Sequence, residues 1–343
     1  MKKWVALFLA VIWLAALTGC AAPAFQKEQP IYEITDLTLF DTVTSIKGTA
    51  ESRAAFEESA EAIRAELLRY HQFFDIYNDY EGINNLKTVN DMAGIAPVSV
   101  DPAIIELLTD CRYYYEMTEG KVNVAMGSVL ALWHGARNAG LEDPQNAKLP
   151  DPAALEAAAK HTDFSCVVID PEASTVFVSD LEASLDVGAV AKGWSAQRAA
   201  EMAPANLLIS VGGNVCATGP KRDDGTPWVI GVQNPAGSDY LHTLNVTGGS
   251  FVTSGDYQRT YRVDGKDYHH IIDPETRMPS EYWRSVTIVC ADSGLADALS
   301  TALFLMDREA GQKLLDDCDA MAMWVDKTGK VYYSPGFEEM IRS

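Results

Sequence analysis

Three oxygen-bearing side chains recur at helical spacing in an apolar stretch near the C-terminus. They are Asp297, Ser300 and Thr301, in the run Asp-Ala-Leu-Ser-Thr-Ala-Leu. Because residues i, i+3 and i+4 share one helical face, the three can present their oxygens together. Hard oxygens of this kind, combined with phosphate oxygens, suit octahedral Mg²⁺. The alternative is structural: an acid that favours the helix dipole, with hydroxyls bonded back to the preceding turn.

Two glycine-rich segments could bring the backbone close to a ligand. The first, Asp186-Val-Gly-Ala-Val-Ala-Lys-Gly-Trp, is expected to join a strand over Ala183 to Leu185 to a helix. Its glycines allow close backbone approach, the helix N-terminus favours anionic oxygens, and Lys192 adds a positive charge. The second is the strand end Ser210-Val-Gly-Gly-Asn-Val. The first could equally be a tight structural turn, because it is neither a G-x-G-x-x-G loop nor a P-loop. The second, taken alone, favours a hairpin turn over a place where a ligand or a second backbone passes closely.

A pair of adjacent histidines precedes an Asp-Pro turn at residues 268–274. In a strand, His269 and His270 would point to opposite faces, so at most one can address a given site. No third soft ligand has a fitting spacing, so a general base or a ligand hydrogen bond is favoured over a metal site. Asp273, which suits the first position of a type I turn, and Asp256 are the alternative bases.

The elements that must hold these residues follow an irregular order. Apolar spacing and N-cap signals predict helices over 52–74, 101–118, 153–160, 192–202, 295–306 and 308–316. Strands are expected within 31–47 and over 165–170, 175–179, 207–211, 228–232, 241–246, 261–263 and 285–289. Residues 78–100 and 139–152 are expected to be irregular and 120–137 mixed. Helices are too interleaved for a sandwich, and the steady alternation of a doubly wound fold is missing, so an α+β fold is predicted.

The start of the chain predicts export. Two lysines precede an uncharged apolar stretch over residues 4–17, which at ~1.5 Å per residue covers about 21 Å, less than a ~30 Å hydrocarbon core. Residues 1–19 therefore indicate a signal peptide rather than a permanent span. The run Leu-Thr-Gly-Cys ending at Cys20 resembles the lipobox of bacterial lipoproteins, whose cysteine is lipidated; the alternative is a secretory signal with an incidental Cys20. Residues 20–30 are expected to form a tether.

The composition limits the partners. Without residues 1–19, 25 basic side chains stand against 48 acidic ones, a net charge of −23. Such a surface repels phosphate backbones and anionic lipid, which argues against nucleic acid as a partner and makes the acyl anchor the expected membrane attachment. Five further cysteines are widely spaced without a C-x-x-C pair. Most are expected to be buried small residues, with a disulfide scaffold as the alternative.

These segments, in this order, resemble the ApbE family of FAD:protein FMN transferases. Its members carry Asp-x-Gly-x-x-x-Lys-Gly, Gly-Gly-Asp/Asn, Ser-Gly-x-Tyr with His-His-Ile-Ile-Asp-Pro-x-Thr, and Ala-Asp-Ala-x-Ser/Ala-Thr-Ala, all present here. The similarity extends to Phe-Asp-Ile-Tyr-Asn at 74–78 and Leu-Trp at 132–133. It implies an ApbE-like, T-fold-related α+β domain over residues 31–343, with mixed sheets and packed helices in one large domain of two subdomains.

The resemblance also implies roles for individual residues. The Mg²⁺ ligands would be the Ala189 carbonyl with Asp297, Ser300 and Thr301. His270 falls where the family contacts FAD and where a catalytic histidine is expected. The other positions that match flavin contacts are Phe40, Tyr77, Lys121, Val122, Asn123, Asp186, Lys192 and Ile271. In one departure, many members have Phe-Asp after the glycine corresponding to Gly120, whereas this chain has Val122 and Asn123, which removes a charge near the ligand.

The implied reaction moves FMN from FAD to a threonine hydroxyl of another exported protein and releases AMP. Such a reaction requires charge neutralisation at the pyrophosphate, in-line positioning and removal of the hydroxyl proton. The implied acceptors are flavoprotein subunits of membrane redox complexes, which are modified in a short Ser/Thr-Gly-Ala-Thr-like sequence. A lipid anchor would hold the enzyme beside them, on the extracytoplasmic side of the cell membrane. The alternatives are a Mg²⁺-dependent FAD pyrophosphatase that gives FMN and AMP, and a flavin-binding lipoprotein without turnover.

Overall fold

An antiparallel sheet carries the fold in the computed structural model, which describes residues 29–342. The strands are β1 (Ile31–Asp36), β2 (Thr44–Thr49), β3 (Val98–Ser99), β4 (Val167–Asp170), β5 (Thr175–Val178), β6 (Leu207–Val211), β7 (Asn214–Ala217), β8 (Trp228–Gln233), β9 (Tyr240–Val246), β10 (Gly249–Gly255), β11 (Tyr261–Val263), β12 (Lys266–Tyr268), β13 (Trp283–Cys290), β14 (Ala320–Asp326) and β15 (Val331–Tyr333). The large sheet has the order β1-β2-β6-β7-β10-β13-β14-β15; smaller sheets pair β3-β5-β4, β8-β9 and β11-β12.

Most of the helices begin at side-chain caps. They are α1 (Arg53–Phe74), α2 (Leu86–Asp91), α3 (Pro102–Met117), α4 (Gly127–Glu142), α5 (Pro152–Ala158), α6 (Ala191–Met202), α7 (Ser293–Phe304) and α8 (Arg308–Asp316). At the start of α3, Asp101 accepts the N–H of Ala103, and Pro102 occupies the first helical position. Such caps satisfy backbone donors that have no partner within the helix. By contrast, α4 and α6 begin without a side-chain cap and depend on packing.

Strand alternation gives the large sheet two buried faces. In β10, Val252 joins the core that contains α7, whereas Phe251 joins the core beneath the β8–β9 hairpin. In β13, Ile288 and Val289 divide in the same way. Successive residues of a strand point to opposite faces, so a strand covered on both sides is apolar throughout. Helices α1, α6 and α7 pack on one face of this sheet, and α7 thereby brings its polar residues to β10.

A smaller core attaches helix α4 to the β11–β12 hairpin. It includes Trp133, Tyr261 and Ile272. The indole Nε1 of Trp133 donates a hydrogen bond to the carbonyl of Arg277 at 2.9 Å. This contact fixes α4 to the segment that follows the histidine pair, so residues far apart in sequence are held at one site.

The predicted α+β class is confirmed, and helix α8 has the predicted bounds. Four local predictions are wrong. Residues 86–91, within a segment that was expected to be irregular, form helix α2, which Asn85 caps. Residues 127–142 form helix α4, where a mixed segment and a loop were expected. The strand expected over Ala183 to Leu185 is a single bridge between Ser184 and Met126. Strand β12 ends at Tyr268, so the histidine pair lies beyond it.

The predicted signal peptide, Cys20 and most of the tether lie outside the described residues. Within residues 29–342, no helix has the length and apolarity needed to cross a membrane. The five cysteines described here are free, three of them buried and two partly buried; these are Cys111, Cys216 and Cys290, then Cys166 and Cys318.

Candidate active site

The carboxylate of Asp297 lies where three of the predicted segments meet. It projects from α7, and its Oδ2 accepts hydrogen bonds from the Gly193 N–H and the Asn214 side-chain amide, both at 2.9 Å. The ammonium of Lys192 lies 3.9 Å from the same oxygen. The Asp-x-Gly turn, the Gly-Gly-Asn turn and the helix with spaced oxygens therefore form one site.

The close approach of α6 and α7 depends on the glycine at position 193. A Cβ atom there would lie 2.5 Å from Asp297 Cβ and still closer to the Ser293 carbonyl oxygen. Because real Cβ atoms do not tolerate such contacts, any side chain would push the two helices apart. The glycine thus allows its own N–H to reach the Asp297 carboxylate.

Burial makes the negative charge of Asp297 costly. The residue is 4% exposed, and burial raises its pKa, while Lys192 and the hydrogen bonds from Gly193 and Asn214 oppose that rise. A buried carboxylate whose pKa is raised despite these three partners would be stabilised further by a bound cation. Among residues 29–342, no cluster of three or more His, Cys, Asp and Glu could hold a metal. A cation here would need hydroxyl, carbonyl or phosphate oxygens, the donors that Mg²⁺ prefers.

Hydroxyl groups continue this polar surface along α7. Ser300 is buried, and its Oγ donates to the Asp297 carbonyl at 2.9 Å and lies 2.8 Å from Ser254 Oγ on β10. Its hydroxyl therefore joins the helix to the sheet. Thr301, one position further, is only partly buried.

The turn before α6 supplies one backbone oxygen, the Gly188 carbonyl, to the Lys192 ammonium beside Asp297. Ala189 is partly buried in this turn, and the neighbouring Gly188 carbonyl accepts a hydrogen bond from Lys192 Nζ at 3.1 Å. The Lys192 ammonium thus lies between a backbone carbonyl and the Asp297 carboxylate. The positive charge of Lys192 is thus held beside both oxygens.

Asp186 connects this turn to the exposed edge of the site. Its Oδ1 accepts the Gly188 N–H at 2.9 Å, which closes the turn. Its Oδ2 lies 3.9 Å from Nδ1 of His134, and that nitrogen lies 3.0 Å from the Tyr77 hydroxyl. A polar chain therefore runs from the turn to Tyr77, whose residue is 61% exposed.

The segment before Tyr77 is fixed by Asp75. Its Oδ1 accepts the backbone N–H groups of Tyr77 at 2.6 Å and Asn78 at 3.1 Å. Burial opposes ionisation of Asp75, but hydrogen bonds from Asn78, Tyr77 and Tyr80 outweigh it and lower its pKa. The backbone of the predicted flavin-contacting tyrosine is consequently well ordered.

Phe40 lies in the loop between β1 and β2 with a left-handed backbone conformation, φ 54°. Its N–H donates to His71 Nδ1 at 3.2 Å, and its ring packs edge-on against His71 at a centroid distance of 5.5 Å. Non-glycine residues in this region cost free energy and are held by their surroundings. The ring of Phe40 is thereby held partly exposed.

The two adjacent histidines have different environments, as the sequence predicts. His269 is buried; its Nε2 donates to the Ser280 carbonyl at 2.8 Å, and its Nδ1 accepts the Ile271 N–H at 3.2 Å. Burial lowers the pKa of His269. Both ring nitrogens are thus committed to backbone partners, and the ring is part of the core.

His270 is partly exposed, and only one of its nitrogens has a protein partner within the described residues. Its Nδ1 donates to the Gln258 carbonyl at 3.3 Å. Desolvation, followed by the positive charges of Arg259 and Lys192, lowers the pKa of His270 to about 3. The ring is therefore neutral at neutral pH, with the proton on Nδ1 and a free Nε2 that can accept a proton.

Of the predicted contacts at 121–123, Lys121 reaches the Asp-Pro turn. Lys121 Nζ is 2.8 Å from Glu275 and 3.4 Å from Asp273. Val122 is buried, and the Asn123 side chain donates to the carbonyl of residue 162 at 2.8 Å and accepts the N–H of residue 125 at 2.9 Å. The side chains of all three fix this loop. The neighbouring predicted contact Ile271 is also buried.

Both alternative bases are engaged in ion pairs. Asp273 faces Lys121, and Asp256 lies 3.3 Å from Arg284 Nε and 3.0 Å from Lys327 Nζ. His270, with its free nitrogen, is the better candidate for proton removal.

Comparison with protein families decides the assignment. The sequence model of the ApbE family matches residues 40–324, which is most of the chain. The chain belongs to the ApbE family. A FAD:protein FMN transferase of Treponema pallidum is 32% identical over 96% of this chain and 93% of that relative. An FAD:protein FMN transferase of Escherichia coli K12 is 26% identical over 98% of both chains.

Solved ApbE structures share the fold. The ApbE protein from Thermotoga maritima superposes with a TM-score of 0.81 at 31% identity, covering 92% of this chain and all of that one. The flavin transferase ApbE from Vibrio cholerae gives a TM-score of 0.75 at 23% identity, covering 91% and 100%. The predicted family, α+β fold class and enzyme class are confirmed, whereas the division into two subdomains stays a prediction.

Several residues of this ApbE-family site were not singled out from the sequence. Asn214 and Gly193 hold the Asp297 carboxylate, Ser254 contacts Ser300, and His134 lies between Tyr77 and Asp186. The sequence did mark the segments around Asn214, Gly193 and Ser254 through their glycines. It gave no signal for His134, which lies on the helix that was not predicted.

Proposed function

We propose that this ApbE-family protein transfers FMN from FAD to a threonine hydroxyl of an exported flavoprotein subunit and releases AMP, with Mg²⁺ as cofactor. The observation that carries the proposal is the Asp297 carboxylate, buried at the junction of two glycine-rich turns beside Lys192. A buried anion at this place suits a cation–pyrophosphate complex and has no role in apolar packing.

The residues that would hold Mg²⁺ are Asp297, Thr301, the Ala189 carbonyl and Ser300. The ion would neutralise charge that develops on the pyrophosphate when its phosphorus–oxygen bond breaks. Lys192 adds its own positive charge at the same place. The N-terminus of α6 and the glycines before it favour anionic oxygens. Together these groups hold the pyrophosphate for in-line attack.

The flavin end of FAD would lie toward the exposed edge of the site. There Phe40 and Tyr77 offer partly exposed aromatic faces, and Asp186 closes the neighbouring turn. The backbone of residues 121–123 and Ile271 completes the family's flavin-binding positions, with the side chains of that loop already engaged.

His270 would take the proton of the threonine hydroxyl through Nε2. Its low pKa keeps the ring neutral and ready to accept, but also makes it a weak base. Desolvation is the main cause of this low pKa, and the positive charges of Arg259 and Lys192, which an anionic pyrophosphate would offset, add to it.

The decisive experiment supplies FAD and Mg²⁺ with and without an exported acceptor domain that carries a Ser/Thr-Gly-Ala-Thr-like sequence. The expected result is flavin that remains bound to the acceptor after denaturation, with one AMP released per flavin attached. Rapid AMP release without an acceptor, and no covalent flavin with it, would instead identify a FAD pyrophosphatase. Binding of FAD without any AMP would identify a non-catalytic flavin-binding lipoprotein.

The proposed location is the extracytoplasmic face of the cell membrane, through a lipid on Cys20. A run that resembles a lipobox supports it, and the strongly acidic composition leaves little other attraction to an anionic bilayer. The mature protein should take up labelled fatty acid and enter a detergent phase. Equal membrane attachment of Cys20→Ala, with no acyl label on the parent, would contradict this location.

A further inference from the structure

We propose that His134 is a positioning residue that orients the Tyr77 ring for the flavin, an inference that rests on the proposed function. The Tyr77 hydroxyl lies 3.0 Å from His134 Nδ1, and Asp186 Oδ2 lies 3.9 Å from that nitrogen. His134 thus stands between an aromatic side chain at a family flavin position and the acid that closes the glycine turn.

Tyr77 needs such a partner because its two ends are held differently. Its backbone N–H is bound to Asp75 at 2.6 Å, but the residue is 61% exposed. An exposed aromatic ring samples several orientations unless its tip is fixed. The centroids of the Tyr77 and His134 rings are 6.4 Å apart at an interplanar angle of 54°, so the histidine holds the hydroxyl without stacking over the tyrosine face.

Helix α4 gives His134 a rigid base. The preceding residue, Trp133, is buried and its indole donates to the Arg277 carbonyl. Further toward the N-terminus, Gly127 packs directly against the backbone of Ser184, two residues before Asp186. The helix is thus tied both to the segment after the histidine pair and to the chain that carries Asp186, so the imidazole keeps a fixed distance from both.

A ring that is ordered before binding loses less conformational entropy when it contacts a ligand. Removing the imidazole should therefore weaken FAD binding by about two- to ten-fold, the range of one net hydrogen bond. The maximal rate should change little. Within the described residues, neither Tyr77 nor His134 contacts the groups proposed at the pyrophosphate, Asp297 and Lys192, and neither contacts His270. KM for FAD should rise while kcat is kept.

A double-mutant cycle tests the route through the hydroxyl. His134→Ala, Tyr77→Phe and the double variant are titrated with FAD, and the dissociation constant is read from quenching of flavin fluorescence, with no acceptor present. Each single variant should lose a similar factor in affinity, and the double variant should bind no more weakly than either one. His134→Gln, which can still bond the hydroxyl, should keep most of the affinity. His161→Ala, at a histidine paired with Asp180 and Glu182, serves as the control and should bind like the parent.

Parental affinity in His134→Ala would overturn the inference, as would an equal loss of affinity when the change is made in the Tyr77→Phe background. If the alanine variant melts early, His134→Leu compared with His134→Gln gives the same contrast. The same titration tests the proposed function separately. Failure of the parent protein to bind FAD would contradict that function. Equal binding of FAD by the parent and the variants would contradict only the role of His134.

Discussion

The two ends of the candidate site are held in different ways. At the buried end, Asp297 is 4% exposed and is bound by a backbone N–H, a side-chain amide and a nearby ammonium. At the exposed end, Tyr77 is 61% exposed and its ring tip has one hydrogen bond. Water can replace a lost contact at the exposed end but not at the buried end. Substitutions at the buried end should therefore abolish the reaction, whereas substitutions at the exposed end should mainly change the affinity for FAD.

The largest effect is expected from Asp297→Asn. The change keeps the shape of the side chain but removes the charge that would bind the cation, so AMP release from FAD should fall about 10³-fold, the upper end for loss of one electrostatic group. Asp307→Asn is the matched control, because Asp307 caps α8 away from the site and asparagine caps equally well. Full activity with unchanged Mg²⁺ dependence in the Asp297 variant would break the contrast between the two ends.

Next in size is the difference between the two histidines. His270→Asn should slow FMN transfer by about 10²-fold, the lower end for a general base, since its low pKa limits its strength. FAD affinity should fall little. His269→Asn should cost less in rate and more in thermal stability, because its ring lies in the core. Transfer at the parental rate in both variants would remove His270 from the mechanism and return Asp256 and Asp273 as candidates.

A pair of glycine substitutions sharpens the account of the buried end. Gly193→Ala should lower the free energy of unfolding by about 1–3 kcal/mol, because the new Cβ collides with Asp297 and Ser293. Gly135→Ala, in helix α4, meets no atom within 4 Å, so it should raise stability by about 0.5–1 kcal/mol. Denaturant titration compares the two. Equal stability of the two variants would show that α6 and α7 do not pack as closely as described.

The smallest effect is a pH dependence of stability. The lowered pKa of His269 means that the unfolded chain binds its proton more readily than the folded protein. Stability from this group is therefore present above about pH 6.5, the ordinary histidine pKa, and declines as the pH falls below it. His269→Asn should show a shallower loss of melting temperature between pH 7 and pH 5 than the parent. An unchanged slope would mean that His269 does not titrate in this way.

Within residues 29–342, local sequence signals predicted five of the six helices that have side-chain caps and also the uncapped α6. They missed the short capped helix α2 and the packing-dependent helix α4. Helix α4 contains Gly127, Gly135 and Gly140 and lacks a side-chain cap, so its propensity is low. It forms because Trp133 anchors it and because Gly127 lies against the Ser184 backbone, where a side chain would collide. The expected strand over Ala183 to Leu185 is replaced by that same contact.

The sequence motifs predicted which segments form the candidate site but not all of the contacts between them. Glycines and the spaced oxygens of α7 marked the segments that meet at Asp297, but only tertiary structure shows that Asn214 and Gly193 bind its carboxylate. The expected split between the two histidines is present although no strand causes it. His269 turns inward because its ring bonds the Ser280 carbonyl and packs edge-on against Phe304. His134 escaped notice because a lone histidine on an unrecognised helix carries no pattern.

Metal binding at the buried end is the most direct test of the account. Thermal unfolding is measured with FAD present, with and without Mg²⁺, for the parent and for Asp297→Asn. Because a ligand that binds only the folded state raises the melting temperature, Mg²⁺ should stabilise the parent and leave the variant unchanged. An equal Mg²⁺-dependent rise in both proteins would place the cation elsewhere and contradict the central role of Asp297.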